Sequence, residues 1–432
     1  MCRTLRMLIP LVVVSMLFCG KGIGIPELLD PTGGEQVSLP VTFVWSSVEN
    51  GSNYALEVDT TTGFTAPVVS AETADTSHTV ASLDTNKYYW RVCAIDENGD
   101  SSDFSDPDSF VVSGSAYPRN LITTIQLPAG NPVSIDITPD GSELWVAYWG
   151  QLDTTVTVIA TATNQITNNI PTTNPCNDLG EIRISANGNY AYFCGVWDMD
   201  SSGLIELSTS GYNQTRMIGY PYGTPPVPHG PDGPGIALTQ ANDYVYAAHM
   251  ANVDDGYITK IDLNSGSLID SIHMSWIADV DLNHAETYLY AVGEEDSLYE
   301  IDPATMTVTR QLGVGYAAHR LVITNDDQYA FVTGDSIYVV DLNSFTVVAK
   351  FDPDISSEGL KLTPPDEHYL YICDGGSDYI DVVDVSDPTN PTLVEKLTIP
   401  AAGSFSELVF NADGSRAYVI EQNNPYLYVL GK

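Results

Sequence analysis

Basic residues are scarce in this sequence. Sixteen lysines and arginines stand against 56 aspartates and glutamates, so the net charge of the 432-residue chain is −40. A surface this acidic repels phosphate backbones, which argues against nucleic-acid binding. The acidity favours solubility, and it leaves open an attraction for Ca²⁺ or for basic partners.

Cysteines and long apolar runs are also few. Two of the six cysteines lie within the first 19 residues, so the remaining four cannot form the dense framework of a disulfide scaffold. The apolar run at residues 7–18 follows Arg3 and Arg6. It is too short to span a bilayer but suits the core of a secretory signal peptide. We therefore expect residues 1–22 to be an export signal.

Cys19 directly follows this apolar run and precedes Gly20. The arrangement resembles the lipobox of bacterial lipoproteins, although Phe18 stands where that family has a small residue. The resemblance implies acylation of Cys19 and a membrane anchor at the mature N-terminus. The alternative is cleavage after residues 20–22, a small-x-small sequence, without lipid. Both alternatives predict export: to the cell envelope or surface with lipid, and to the periplasm or medium without it.

Residues 25–112 read as short strands with inward-facing alternation, for example at Val41, Phe43 and Trp45. Asn50-Gly51 and residues 96–100 are turn sequences between such runs. The stretch at 83–94 resembles the bacterial fibronectin type III family, in which Trp45 fits the core tryptophan. This resemblance implies a β-sandwich, and residues 113–119 have the composition of a linker.

The rest of the chain repeats. A large aromatic residue recurs every 40 to 54 residues, in a short apolar run that follows a polar turn. These residues are Trp145, Tyr192, Tyr246, Tyr290, Phe331, Tyr371 and Tyr418. Each unit has room for four strands, and this period with four strands per unit is typical of a β-propeller. The predicted fold class is all-β.

Two of the repeats carry a more specific pattern. Residues 137–141, Ile-Thr-Pro-Asp-Gly, follow Pro132, and residues 329–334 read Tyr-Ala-Phe-Val-Thr-Gly. The pattern resembles the YVTN β-propeller family, which implies a seven-bladed propeller over residues 120–432. The last repeat lacks a fourth strand. Residues 121–127 have a strand pattern and should complete it, closing the ring and covering an exposed edge.

The first strand of each repeat should be innermost and line the central channel of the propeller. Aligning these strands gives one column of residues that should ring one mouth of the channel, and we call them the mouth positions. The mouth positions are Ser134, Glu181, Gly235, Asp279, Arg320, Gly359 and Glu407. His319 and Glu358 lie one place earlier, and His229 lies in a long Pro-rich segment before the third repeat. Three carboxylates and one arginine around a funnel suit a cation or a polar ligand. The alternative is an ordinary wet channel wall.

Other chemistry is sparse. Cys176 and Cys194 flank one strand and suit a disulfide in an exported protein, but Cys194 and Cys373 share a repeat position, which favours packing. Four turns are rich in acidic residues, at 96–100, 198–200, 254–256 and 374–378. A calcium site at one of them is one interpretation. The simpler interpretation is that each aspartate accepts hydrogen bonds from the backbone of its own turn. Catalytic and zinc-binding motifs are lacking, so no catalytic residue, metal ligand or cofactor is assigned.

Three functions remain. The leader, the two-module layout and the lack of a catalytic motif favour an envelope protein that binds a protein or polar ligand. A lactonase or metal-dependent hydrolase is the second hypothesis, since such enzymes place metal-binding carboxylates at a propeller's channel mouth. A structural surface-layer component is the third.

Overall fold

The computed structural model describes residues 23–432 with several gaps. The gaps are 38–40, 81–82, 84–85, 113–116, 129, 150–155, 172–177, 199–200, 220–234, 253–254, 275–276, 294–295, 317, 353–356, 375, 401–402 and 422–423. In the described part the regular elements are β-strands, and no helix there is long and apolar enough to cross a membrane. The chain divides into two compact units, residues 1–116 and 117–432.

The first unit contains eight described strands in two sheets. They are β1 (Leu28–Asp30), β2 (Glu35–Val37), β3 (Val41–Trp45), β4 (Asn53–Asp59), β5 (Val69–Thr73), β6 (Ser77–Val80), β7 (Asn86–Ile95) and β8 (Asp108–Val112). One sheet has the order β1-β3-β6 and the other β2-β8-β7-β4-β5. Their inner faces share one core, in which the ring of Phe43 lies 5.0 Å from that of Trp90 and 5.3 Å from that of Phe110. Two sheets packed in this way form a sandwich, because each strand buries every second residue.

The second unit contains, within its described residues, seven antiparallel sheets of four strands each. Sheet 1 is β10–β13, sheet 2 β14–β17, sheet 3 β18–β21, sheet 4 β22–β25, sheet 5 β26–β29, sheet 6 β30–β33, and sheet 7 has the order β34-β35-β36-β9. The strands are β9 (Asn120–Gln126), β10 (Asn131–Ile137), β11 (Glu143–Trp149), β12 (Val156–Ala160), β13 (Gln165–Ile170), β14 (Asp178–Ile184), β15 (Tyr190–Asp198), β16 (Ser201–Ser208), β17 (Asn213–Gly219), β18 (Ile236–Leu238), β19 (Tyr244–Asn252), β20 (Asp255–Asp262), β21 (Ser267–Met274), β22 (Ile277–Leu282), β23 (Leu289–Gly293), β24 (Ser297–Asp302), β25 (Thr307–Gly313), β26 (Leu321–Ile323), β27 (Tyr329–Thr333), β28 (Ile337–Asp341), β29 (Thr346–Phe351), β30 (Ser357–Leu362), β31 (Tyr369–Asp374), β32 (Tyr379–Asp384), β33 (Thr392–Thr398), β34 (Phe405–Phe410), β35 (Arg416–Glu421) and β36 (Tyr426–Gly431).

The sheets pack face to face through interlocking apolar side chains. Trp145 of sheet 1, for example, shares a core cluster with Ile182 and Phe193 of sheet 2. Each sheet is apolar on both faces, so it needs a neighbour on each side, and stacking in a ring supplies both.

The strand predicted at 121–127 is observed as β9, at 120–126. It pairs antiparallel with β36, so the first strand of the second unit completes the last sheet. The residues just before it also contact this unit, although the sequence assigned them to a linker. Tyr117 is buried with its ring 4.7 Å from that of Tyr369, and Arg119 donates to Glu395 at 2.7 Å. The observed boundary therefore lies between residues 116 and 117.

Candidate functional site

The first strands of the seven sheets form a closed ring. Each contacts the first strand of the next sheet, and β34 of sheet 7 contacts β10 of sheet 1. Within each strand the alternation of side chains directs one set of apolar residues into the cores between sheets. Val280 and Leu282 of β22 belong to this set. The mouth positions lie on the other set.

Three predicted site carboxylates join neighbouring first strands. The backbone N–H of Ile236 donates to Glu181 Oε2 at 2.9 Å, and that of Leu321 donates to Asp279 Oδ2 at 3.0 Å. In both pairs the acceptor lies one sheet before the donor. Each carboxylate thus supplies the acceptor for a backbone N–H group on the first strand of the next sheet.

The same contact closes the ring. The backbone N–H of Ile135 donates to Glu407 Oε2 at 3.2 Å, and Ser134 Oγ donates to the same oxygen at 2.6 Å. Ser134 Oγ in turn accepts from the N–H of Ile182 at 3.1 Å. Sheets 7, 1 and 2 are therefore joined in succession by side chains at the mouth positions.

Two mouth positions are glycine because the next strand comes too close for a side chain. A Cβ on Gly235 would lie 2.7 Å from the backbone nitrogen of Val280, and one on Gly359 would lie 2.8 Å from the carbonyl oxygen of Ser406. Real Cβ contacts are longer than this, so any other residue forces a shift.

A second layer of charged residues was missed by the sequence reading. It lies two positions further along four of the first strands, and its members are Asp136, Arg183, Asp281 and Lys361. Arg183 forms an ion pair with Glu181 and lies 3.8 Å from Glu407 Oε1, and Lys361 Nζ lies 3.8 Å from the same oxygen. The period of two along a strand puts residues i and i+2 on one face, so extending the aligned column would have found this layer.

Burial governs the charge states in this cluster. It raises the pKa values of Asp136, Asp279 and Asp281, and it raises that of Glu181 to about 7, although Arg183 acts in the opposite direction. Burial acts to lower the pKa of Arg183, but the neighbouring carboxylates, with Glu181 first, raise it above its ordinary value. The cluster is a set of mutually dependent charges.

Arg320 and His319 are both half-buried beside this ring. The Arg320 guanidinium acts to lower the pKa of Asp279, against the larger effect of burial. The backbone N–H of Arg320 donates to Thr333 Oγ1 at 2.9 Å, which fixes the start of β26. Arg320 and Asp279 are therefore electrostatically coupled, and whether Arg320 also binds a ligand stays a prediction.

Several predicted residues lie outside the described part. They are Cys19, Cys176 and His229, and the side chain of Glu358 in β30 is likewise not described. Cys194 is buried between sheets 2 and 3, and the proposed disulfide to Cys176 stays a prediction.

Of the acidic turns, the one at 96–100 is fully described. Asp96 Oδ1 accepts from the backbone N–H of Asn98 at 2.8 Å and of Asp100 at 2.9 Å, so this aspartate caps its own turn. Among the described residues, no three His, Cys, Asp or Glu side chains are grouped so as to hold a metal ion.

Comparison with known proteins supports the fold. Residues 366–398 match the model of the LVIVD repeat family, a stretch that contains β31, β32 and β33 of sheet 6. The resemblance to the YVTN family stays a prediction. No protein of curated function matches the chain.

Three similar solved structures cover most of the second unit. Hydrazine synthase of Kuenenia stuttgartiensis is 17% identical with a TM-score of 0.59, over 72% of this chain and 98% of that one. The Cps50 (Swd1) β-propeller domain of Myceliophteria thermophila is 12% identical with a TM-score of 0.57, over 73% and 100%. A chain of the Mitotic Checkpoint Complex is 10% identical with a TM-score of 0.60, over 74% and 93%. The second unit is a β-propeller with an LVIVD repeat. At these identities the likeness extends to the fold alone.

Proposed function

We propose that this chain is an exported cell-envelope scaffold whose seven-bladed β-propeller binds a protein partner. The observation that carries the proposal is the engagement of Glu181, Asp279 and Glu407 by backbone N–H groups of the next blade. A propeller hydrolase needs such carboxylates as ligands of a catalytic metal. Here the same groups stiffen the ring, which suits a rigid platform for recognition.

The partner binds the end of the ring at which the first strands begin. Tyr316 lies at this end, between β25 and β26, and 73% of its surface is exposed. Tyrosines of this kind are enriched among the residues that dominate protein interfaces. β17 ends and β18 begins at this same end, and the predicted site residue His229, which comes between them in sequence, is outside the described residues.

The base under Tyr316 is tightly packed. A Cβ on Gly334 would lie 3.1 Å from the carbonyl oxygen of Val314 and 3.2 Å from that of Tyr316. Gly315 has a φ of +81°, and a Cβ there would contact Asp335 and Tyr338. An exposed ring on a fixed backbone loses little conformational entropy when a partner covers it.

The test is affinity capture from envelope extract with the full chain, followed by a binding measurement with the captured protein. Tyr316→Ala should weaken that binding at least tenfold at an unchanged melting temperature. Tyr190→Ala is the matched control, since Tyr190 is 36% exposed at the start of β15, at the opposite end of its sheet. Undiminished binding by both Tyr316→Ala and Arg320→Ala would refute this surface.

Two further experiments separate the alternatives. Deleting residues 25–112 should leave binding near normal if the fibronectin-like module is a spacer, whereas loss of binding would assign recognition to that module. Metal-dependent hydrolysis of lactones by the purified chain, abolished by Glu181→Gln, would replace the scaffold by the hydrolase hypothesis.

A further inference from the structure

Sheet 4 contains a group of four side chains that holds it against sheet 5. Glu300 Oε2 accepts from the Tyr290 hydroxyl at 3.1 Å, and Glu300 Oε1 accepts from Thr309 Oγ1 at 2.6 Å and Arg310 Nε at 2.8 Å. Arg310 also donates to the carbonyl oxygen of Leu342, just after β28 of the next sheet, at 2.8 Å. The arginine is thus neutralised by Glu300 and fully used in joining the two sheets.

Sheet 2 repeats this group with the same residue types. Tyr192 donates to Glu206 Oε2 at 3.0 Å, and Thr215 Oγ1 donates to Glu206 Oε1 at 2.7 Å. Arg216 donates to the carbonyl oxygen of Leu263, just after β20 of sheet 3, at 2.6 Å. The repeat shows that the four side chains are a device for joining sheets. Sheet 2 therefore provides matched control positions for any ligand binding beside this group in sheet 4.

At sheet 4 the group forms the floor of an open cavity of about 660 Å³ between sheets 4 and 5. This volume is within the roughly 300–1,000 Å³ of ordinary ligand sites. The walls carry hydroxyl and amide groups, contributed by Asn283, Thr287, Tyr288, Gln328 and Asn343. The cavity lies on the outer part of the sheets, away from the mouth positions, and no sequence motif pointed to it.

The charged side chains that line the cavity already have partners within the protein. Asp327 Oδ1 accepts from the backbone N–H of His284 at 2.7 Å, and its Oδ2 accepts from that of Ala285 at 3.0 Å and from Asn283 Nδ2 at 3.0 Å. Arg310 is paired with Glu300 as described. An ionic ligand would have to compete with these bonds, so the lining favours a neutral ligand rich in hydrogen-bonding groups.

An aromatic face completes the lining. Tyr288 is 38% exposed, and its ring centroid lies 6.4 Å from that of the buried Tyr290, which supports it from below. The Asn343 amide donates to Gln328 Oε1 at 2.7 Å, so the two planar amides are fixed to each other in the same lining as Tyr288. A flat apolar face next to amides and hydroxyls matches a pyranose, which has apolar C–H faces and a rim of hydroxyl groups.

We propose that this cavity binds a neutral sugar unit of a glycan. The pyranose ring stacks on Tyr288. Gln328 Nε2 already donates to the carbonyl oxygen of Asp326, and Thr287 Oγ1 accepts from Asn283 Nδ2. Each amide nitrogen carries two hydrogens and each oxygen two lone pairs, so the sugar hydroxyls bond to the second hydrogen or lone pair of Gln328, Asn343 and Thr287. The site is separate from the protein-binding end of the ring, so this proposal can be tested independently of the proposed function.

The test uses the full chain and a panel of neutral oligosaccharides containing glucose, galactose, mannose or N-acetylglucosamine, with sialylated and sulfated glycans for comparison. Binding is measured by titration calorimetry, and by saturation-transfer NMR where affinity is millimolar. Tyr288→Ala should weaken binding at least tenfold, and Gln328→Ala three- to tenfold. Tyr190→Ala, the equivalent position of sheet 2, should bind as the unsubstituted chain does, and melting temperatures check that all variants fold.

Three results would overturn the proposal. The first is no binding of any neutral sugar at millimolar concentration. The second is equal loss in Tyr288→Ala and Tyr190→Ala, or no loss in either. The third is binding restricted to the acidic glycans, which would show that charge, and not the neutral lining, selects the ligand.

Discussion

Ser134 Oγ donates a hydrogen bond of 2.6 Å to Glu407 Oε2 across 273 residues of sequence. The same carboxylate oxygen accepts from the backbone N–H of Ile135, so β34 of the last sheet is joined directly to β10 of the first. The outer closure is separate and consists of the pairing of β9 with β36. The ring is thus closed twice, by side chains near its centre and by a backbone ladder near its rim.

Removing the inner closure should destabilise the propeller. Glu407→Ala leaves Ser134 Oγ and the Ile135 N–H without their acceptor and removes a counter-charge near Lys361. We expect a loss of roughly 2–4 kcal/mol in the free energy of unfolding, measured by urea denaturation. Asp366→Ala is the control, because that side chain is 56% exposed. Equal midpoints for the two variants would show that the carboxylate does not hold the sheets together.

Glycine at a mouth position is required by the approach of the next strand. In Gly235→Ala the new Cβ would lie 2.7 Å from the backbone nitrogen of Val280, and overpacking of this kind costs roughly 1–3 kcal/mol. Gly219→Ala is the matched control, since a Cβ there has no neighbour within 4 Å among the residues that the structure describes. Thermal unfolding of both variants checks the prediction, which fails if Gly235→Ala melts with or above Gly219→Ala.

Glu181 gives the propeller a pH-dependent component of stability. Burial raises its pKa to about 7, and Arg183, Asp279, Glu407 and Lys361 are the charged groups that act on it. Because this folded-state pKa lies above that of an exposed glutamate, the folded chain holds the proton more tightly than the unfolded chain. The contribution is complete below the pKa of the unfolded chain and is lost as the pH rises through about 7.

Glu181→Gln removes this titration. Between pH 5 and pH 8 the unsubstituted chain should lose stability that the variant keeps. The free energy of unfolding of the variant, relative to that of the unsubstituted chain, should therefore be higher at pH 8 than at pH 5. Asp366→Asn changes a 56% exposed side chain outside the buried cluster, so it is the control and should show no such shift. A shift of the opposite sign for Glu181→Gln would mean that the pairing with Arg183 outweighs burial.

The outer closure protects an edge. Deleting residues 120–128 removes β9 and exposes the backbone of β36, so the shortened chain should aggregate, as light scattering during concentration would record. Tyr371→Phe is a milder control, since it removes only the hydrogen bond from the Tyr371 hydroxyl to the carbonyl oxygen of Pro118 and leaves β9 paired. A soluble, monodisperse deletion variant would contradict the role given to β9.

The N-terminal leader predicts lipid on Cys19. Mass spectrometry of the mature protein should find the chain starting at Cys19 with at least two acyl chains, since one alone binds membranes only marginally. Cys19→Ala should move the protein from the membrane to the soluble fraction. An unmodified N-terminus at Ile23 would refute lipidation and leave export intact.

The sequence by itself was enough to predict where the strands lie and how many four-stranded repeats follow residue 120. Alternation with a period of two is a local property, and it separates Val280 and Leu282 from Asp279 and Asp281 without any knowledge of neighbours. The missing fourth strand of the last repeat likewise pointed to residues 121–127, because an unpaired edge needs a partner.

Only the tertiary structure decided what the charged residues do. The aligned column placed Glu181, Asp279 and Glu407 at one level, but their partners are backbone groups one sheet further on, 42 to 272 residues away in sequence. Such contacts depend on how closely neighbouring sheets approach, which packing sets and no local pattern encodes. The raised pKa values depend on burial in the same way.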